Sequence, residues 1–170
     1  NSVCHIIGTQ PWSTKDSSRD SWISALFTFG EGYHNYHHTF AADYRNGLKW
    51  FHFDPGKWVI WAGEKLGMCY GLKRTLEPER MKKRLERVAE DYFAHLERMD
   101  AVTEASWRQR LETTRLAAEE RLSAWTNRAR RAAKSKDEQI HQALREAEEA
   151  FRHAWSEFQD LGRGARLAAA

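Results

Sequence analysis

His34-Asn35-Tyr36-His37-His38 places three imidazoles within five positions of a chain that holds only eight histidines. Read as helix, the spacings i, i+3 and i+4 stack these side chains on one face. Imidazole is the commonest protein ligand for iron, zinc and copper, because its neutral nitrogen binds a divalent ion without adding charge. Adjacent His37 and His38 cannot point the same way, so with His34 they suit two ions side by side. Just before the cluster, Gly30 and Gly32 are expected to loosen the backbone. A short helix is predicted over Tyr33–Thr39.

Toward the N-terminus, Asn1-Ser2-Val3-Cys4-His5 sets an amide and an imidazole one helical turn apart, where they can share a target. Alone, that pair reads by default as a satisfied surface histidine. Cys4 reads as a buried free thiol rather than a ligand, and two cysteines in all suit a reducing compartment. Taken in order, five motifs stand out. They are Asn1-Ser2-x-x-His5, Gly8-Thr9-Gln10-Pro11, Ser18-Arg19-Asp20-Ser21, Phe29-Gly30-Glu31-Gly32-Tyr33 running into the histidine box, and Asp43-Tyr44-Arg45-Asn46-Gly47. Together they resemble the last third of an integral-membrane fatty acyl desaturase, nearest the delta-9 acyl-CoA (stearoyl-CoA type) group. The likeness runs from Asn1 to about Arg74.

The resemblance implies a non-haem diiron centre with His34, His37 and His38 as iron ligands. It adds His5 as a further ligand and Asn1 as a contact to iron through a water. It implies dioxygen-dependent insertion of a double bond into a fatty acyl chain, carried as acyl-CoA or acyl-lipid. Electrons would come from cytochrome b5 or a ferredoxin-type donor. The whole enzyme would be a membrane protein, with this region on the cytosolic side. One departure stands against the family pattern: its two earlier histidine boxes do not occur in this sequence. His52, His95, His141 and His153 are scattered singly and read as surface or helix-face residues. Four histidines and an asparagine do not saturate two irons. The chain is therefore expected to be a C-terminal fragment of a longer desaturase, inactive alone. A competing reading is a helical coiled-coil interaction module whose histidines hold a structural zinc or nothing. The run of motifs favours the desaturase.

Composition narrows the remaining classes. Hydrophobic residues make up 41% and charged residues 30% of 170 residues, enough for one domain. No stretch approaches the roughly 18 to 20 apolar residues of a membrane span. The net charge of +3 mixes both signs throughout. Without a concentrated basic face, nucleic acid is not expected as a partner.

The organisation divides near residue 75, giving a histidine-box region over 1–74 and a helical tail over 75–170. Eight of the ten glycines and five of the eight tryptophans precede the boundary. The fold class predicted is all-α: short helices of a histidine-rich cap, then a long charged tail that closes as a hairpin or pairs as a coiled coil. In the front part Asn1–Ile7 is expected as helix, and Gly8–Arg19 as loop. A helix is predicted within Asp20–Phe29, capped by Asp20 or Ser21. Trp50–Phe53 is expected to be extended. Asp54 then caps a helix of about 18 residues with Pro55 at its first position. Its apolar residues Trp58, Ile60, Trp61, Leu66 and Tyr70 suit either packing against the histidine region or lying in a membrane interface. Gly63, Gly67 and Gly71 recur every four residues, a spacing that permits close helix contact.

From Glu79 to Leu161 there is neither glycine nor proline, so the stretch reads as helix. Pro78 marks its start, Ser135-Lys136-Asp137-Glu138 restarts it as a capping box, and Gly162 stops it. Straight, it would reach roughly 120 Å, so a fold-back near Lys134 or self-association is expected. Ile140, Leu144, Ala147, Phe151, Ala154, Phe158 and Leu161 form a heptad seam. Met81, Leu85, Val88, Tyr92 and Met99 give a less regular one. Such stripes indicate packing, not chemistry.

Overall fold

The computed structural model describes residues 2–169. Its regular elements are helices, and among the described residues there is no strand, in agreement with the all-α expectation. The chain divides into two compact units, Asn1–Thr75 and Leu76–Ala170.

The front unit opens with a single 3-10 turn, Ser2–His5, where a longer helix was expected. Gly8–Arg19 is loop, tied back by the Arg19 N–H donating to the Cys4 carbonyl at 2.8 Å. Isolated antiparallel bridges join Thr9 to Asp20 and Asp20 to Tyr33. Helix α1 spans Trp22–Phe27, and Ser21 is its N-cap, accepting from the Ser24 N–H. Helix α2, His34–Thr39, carries the histidine box. Gly32 does not loosen the approach to α2. It closes it: a Cβ there would sit 2.0 Å from the Ala25 nitrogen, and the Gly32 carbonyl accepts from Ser21 N–H at 2.8 Å. Only a residue without a side chain lets the chain lie this close on α1.

Trp50 and Phe51 form a turn, not the extended stretch expected. Lys57 supplies the cause. Its ammonium group is buried and donates to the carbonyls of Gly47, Lys49 and His52 at 2.7, 2.9 and 3.3 Å, curling the segment around one cation. Helix α3, Pro55–Lys65, starts as predicted, with Asp54 capping the Lys57 N–H and Pro55 in the first turn. It ends after 11 residues rather than about 18. Gly67 follows the C-cap at φ 73, and Met68 N–H donates to the Gly63 carbonyl at 2.8 Å, the bond that closes a helix through a left-handed residue. Gly67 and Gly71 therefore lie beyond the helix and form no stripe with Gly63. Val59, Leu66, Met68 and Tyr70 are also not packed into the histidine region, for each is more than 70% exposed.

The second unit is a three-helix bundle: α4 Glu77–Leu96, α5 Ala101–Ala132 and α6 Glu138–Ala168. A two-helix hairpin does not describe it, because the helical run breaks twice. The second break lies where the fold-back near Lys134 was expected. The first, before Ala101, was not foreseen, and Asp100 makes it by accepting from Val102 and Thr103 N–H at 3.1 Å each. At the start of α6 the cap is Asp137, accepting from Gln139 N–H at 2.9 Å, rather than Ser135, which instead caps Asp137 N–H. The core holds Leu85, Ala89, Tyr92 and Leu96 from α4, and Leu111, Ala118, Leu122 and Trp125 from α5. From α6 it takes Ala147, Phe151, Ala154, Phe158 and Ala165. The predicted α6 seam is thus the buried face.

Gly162 does not stop α6, which continues to Ala168. Its role is contact. A Cβ at Gly162 would lie 2.1 Å from the Tyr92 ring, so the missing side chain makes room for α4. Among the described residues no helix is long and apolar enough to cross a membrane.

Candidate metal centre

Helix α2 is only six residues long, so tertiary contacts must hold it. The two non-histidine residues of the box provide them. Asn35 is fully buried. Its Oδ1 accepts from Trp12 N–H at 2.9 Å and Ser13 N–H at 3.3 Å. Its amide donates to the Ser13 and Ser18 carbonyls at 2.8 and 3.1 Å. Every polar atom of that side chain thus ties the box to the Gly8–Arg19 loop. Tyr36 points elsewhere, donating its hydroxyl to Asp43 at 2.8 Å, while its N–H donates to Asp20 at 3.0 Å.

On the opposite face the imidazoles converge. His5, His34 and His38 each offer a ligand atom, and these atoms all lie within 4.8 Å of one another. The His34 ring centroid is 4.3 Å from that of His38 and 4.9 Å from that of His5. His37 stands further off, with ring centroids 6.1 Å from His34 and 6.0 Å from His38. It joins His5, Glu31, His34, His38 and Asn46 in lining a cleft of roughly 370 Å³. Of the sequence-predicted ligands, three are brought together and His37 borders them. Asn1 lies outside the described residues. Cys4 is buried and free, and is not in the converging group.

Burial lowers the His34 pKa, and the neighbouring His38, His5 and His37 push it the same way against a small opposing effect of Glu31. A ring held neutral in this manner presents a lone pair to a cation. Three imidazole nitrogens converging within 4.8 Å of one another fit one divalent ion of the borderline class that includes iron and zinc. They fall short of a full set for two.

Two residues that the sequence offered no reason to single out touch these rings. Asp16 Oδ2 lies 3.2 Å from His38 Nδ1, and Ser17 Oγ lies 2.9 Å from His5 Nδ1. Both come from the loop that Asn35 clamps. The scattered histidines are not in the converging group. His52 stacks on Tyr33 at 4.6 Å, so it is not the surface residue expected. His95 and His141 bond to the backbone carbonyls of Asp91 and Ser135 at 2.7 and 3.0 Å, and His153 is exposed beside Glu157.

The 3-10 turn Ser2–His5 and helix α2 thus bring together three imidazoles that could hold a metal ion, in a part of the chain that is similar to known proteins. Over 74 residues the chain is 51% identical to acyl-CoA desaturase 1 of Saccharomyces cerevisiae, a stretch covering 44% of this chain and 14% of the yeast protein. It is 50% identical over 72 residues to a probable acyl-CoA desaturase of Schizosaccharomyces pombe, covering 42% and 15%. It is 40% identical over 87 residues to delta-9 desaturase-like 2 protein of Arabidopsis thaliana, covering 51% and 29%. Over about half its length the chain is therefore a homologue of the delta-9 and acyl-CoA desaturases, and it spans under a third of the length of these relatives. No protein-family model matches the chain. No solved structure matches it.

Proposed function

We propose that residues 1–74 form the C-terminal, histidine-box part of a membrane fatty acyl desaturase with a non-haem diiron centre. One observation carries the reading: His5 and His38, 33 positions apart in the desaturase-like stretch, are folded onto His34 within ligating distance of one another. His5, His34 and His38 would hold one iron, with His37 beside them toward a second and Asn1 reaching iron through a water. Bound there, iron supplies the dioxygen-dependent chemistry that removes hydrogen from an unactivated methylene pair, which no acid–base side chain achieves. The chain's own part is to hold the imidazole nitrogens in place and to keep His34 buried. The other ligands for two ions come from outside these 170 residues, so the chain alone does not desaturate. The substrate of the whole enzyme is a fatty acyl-CoA or acyl-lipid. Its electron donor is of the cytochrome b5 or ferredoxin kind, and its membrane anchorage lies elsewhere, with this region on the cytosolic side. Residues 75–170 form a tail without a part in the chemistry.

Exchange of segments tests this. Replacing the matching 74-residue stretch of the yeast acyl-CoA desaturase 1 with that of this chain should give an enzyme that still desaturates and still loads iron. His38→Ala or His37→Ala in the chimera should abolish the activity and lower the iron content. Full desaturation by either variant would overturn the assignment.

A further inference from the structure

The loop Gly8–Arg19 carries no ligand, yet it reaches both outer histidines of the cleft. Asp16 uses its two carboxylate oxygens for two different tasks. Oδ1 accepts from Ser18 N–H at 2.8 Å and from the Ser18 hydroxyl, which fixes the plane of the carboxylate. Oδ2 is left facing His38 Nδ1 at 3.2 Å. Ser18 itself is fully buried and is held to the histidine box by Asn35, whose amide nitrogen reaches its carbonyl at 3.1 Å and its hydroxyl at 3.3 Å. The contacts close a ring: box residue Asn35 holds Ser18, Ser18 orients Asp16, and Asp16 returns to box residue His38. Beside it, Ser17 places its hydroxyl 2.9 Å from His5 Nδ1.

A carboxylate accepts hydrogen bonds and donates none, so the Asp16 contact requires the His38 proton to sit on Nδ1. The lone pair of His38 is then on Nε2. A hydroxyl can donate or accept, so Ser17 permits the same tautomer at His5 without enforcing it. In metalloproteins the group bonded to the far nitrogen sets which nitrogen binds the metal and how the ring is aimed. Resting on the metal-centre reading above, we infer that Asp16 and Ser17 are positioning residues: Asp16 reserves Nε2 of His38 for the ion, and Ser17 orients the His5 ring in a way compatible with the same use of its Nε2. The loop is thus part of the metal centre, and Asp16 is its principal contact. Its half-exposed place makes the effect one of orientation and tautomer rather than of fold stability.

Nitrogen-resolved NMR of the imidazoles in the full, metal-free chain near neutral pH tests the inference, together with zinc titration of the same samples. His38 should carry its proton on Nδ1 in the wild type. Asp16→Ala should move it toward the Nε2–H form, which predominates for free imidazole side chains in water. It should also weaken zinc binding on the order of 10-fold or more. Asp16→Asn, whose amide oxygen still accepts, should retain the wild-type tautomer and most of the affinity. Ser17→Ala should produce a smaller loss, seen at His5 and not at His38. An Nε2–H tautomer of His38 in the wild type would overturn the inference. So would an Asp16→Ala chain unchanged in both tautomer and affinity. The functional reading fails separately, if His34→Ala binds zinc as well as the wild type, and the tautomers still decide the role of Asp16 in that case.

Discussion

Asp43 is buried and accepts five hydrogen bonds. They come from the Tyr36 hydroxyl, the Thr75 N–H, and the N–H, Nε and terminal guanidinium nitrogen of Arg45, at 2.8 to 3.1 Å. Burial alone would raise its pKa, but Arg45, Thr75 and Tyr36 more than offset this and hold it at about 2, below the ordinary 3.8. A carboxyl whose folded pKa is depressed stabilises the fold fully above its unfolded pKa and loses that contribution as pH falls through the folded value. The window here runs from about pH 4 down to about pH 2, and the contribution is about 2 kcal/mol. Asp43→Asn should therefore weaken the front unit by about that amount at pH 6. The deficit should shrink as pH falls through the window, when denaturant unfolding is followed by the histidine NMR signals of this unit. A deficit that stays constant with pH would mean that shape, not charge, makes Asp43 matter.

Helix ends and glycines show which elements were legible and why others were not. Ser21, Asp54 and Pro55 start their helices as their side chains dictate, because a cap acts within three residues of itself. The same local reach makes Gly67 a stop. The break before Ala101 escaped because neither glycine nor proline marks it and Asp100 is tolerated inside helices as well as at their ends. The clamp by Asn35 and the touch of Asp16 on His38 span 17 and 22 residues, and no spacing rule reaches that far. The histidine cluster was legible because its ligands share one turn of α2. Its partner His5 came from resemblance rather than from pattern. Gly162 and Gly164 carry the same point into a measurement. Both lie inside α6, where alanine normally gains about 1 kcal/mol over glycine. At Gly164 a Cβ would meet the Trp107 ring at 3.4 Å, an ordinary contact, so Gly164→Ala should stabilise. At Gly162 the Tyr92 ring occupies the space, and Gly162→Ala should cost about 1–3 kcal/mol by forcing α4 and α6 apart. Thermal melts of the two variants should thus shift in opposite directions, and a rise in both would show that Tyr92 swings away at little cost.

At the scale of the whole molecule the two units satisfy their apolar surface in different ways. The bundle turns Leu85 and Tyr92 of α4, Leu111 and Trp125 of α5, and Phe151 and Phe158 of α6 into one shared core. A heptad seam left facing solvent would need a second chain, whereas this one is covered by neighbours from the same chain. The front unit leaves Phe27, Trp50 and Tyr70 at least 80% exposed. Residues 76–170 expressed alone should accordingly fold as a cooperative helical monomer. Their melting, followed by circular dichroism or by Trp125 fluorescence, should not depend on concentration, because no association is linked to folding. The converging histidines all belong to the front unit, so removing the bundle after Thr75 should leave zinc affinity within a factor of about two of the whole chain, well under the tenfold that 1.4 kcal/mol represents. A melting temperature that climbs with concentration would show that the seams prefer a partner copy to each other. In that case self-association, not closure within one chain, is what the tail contributes.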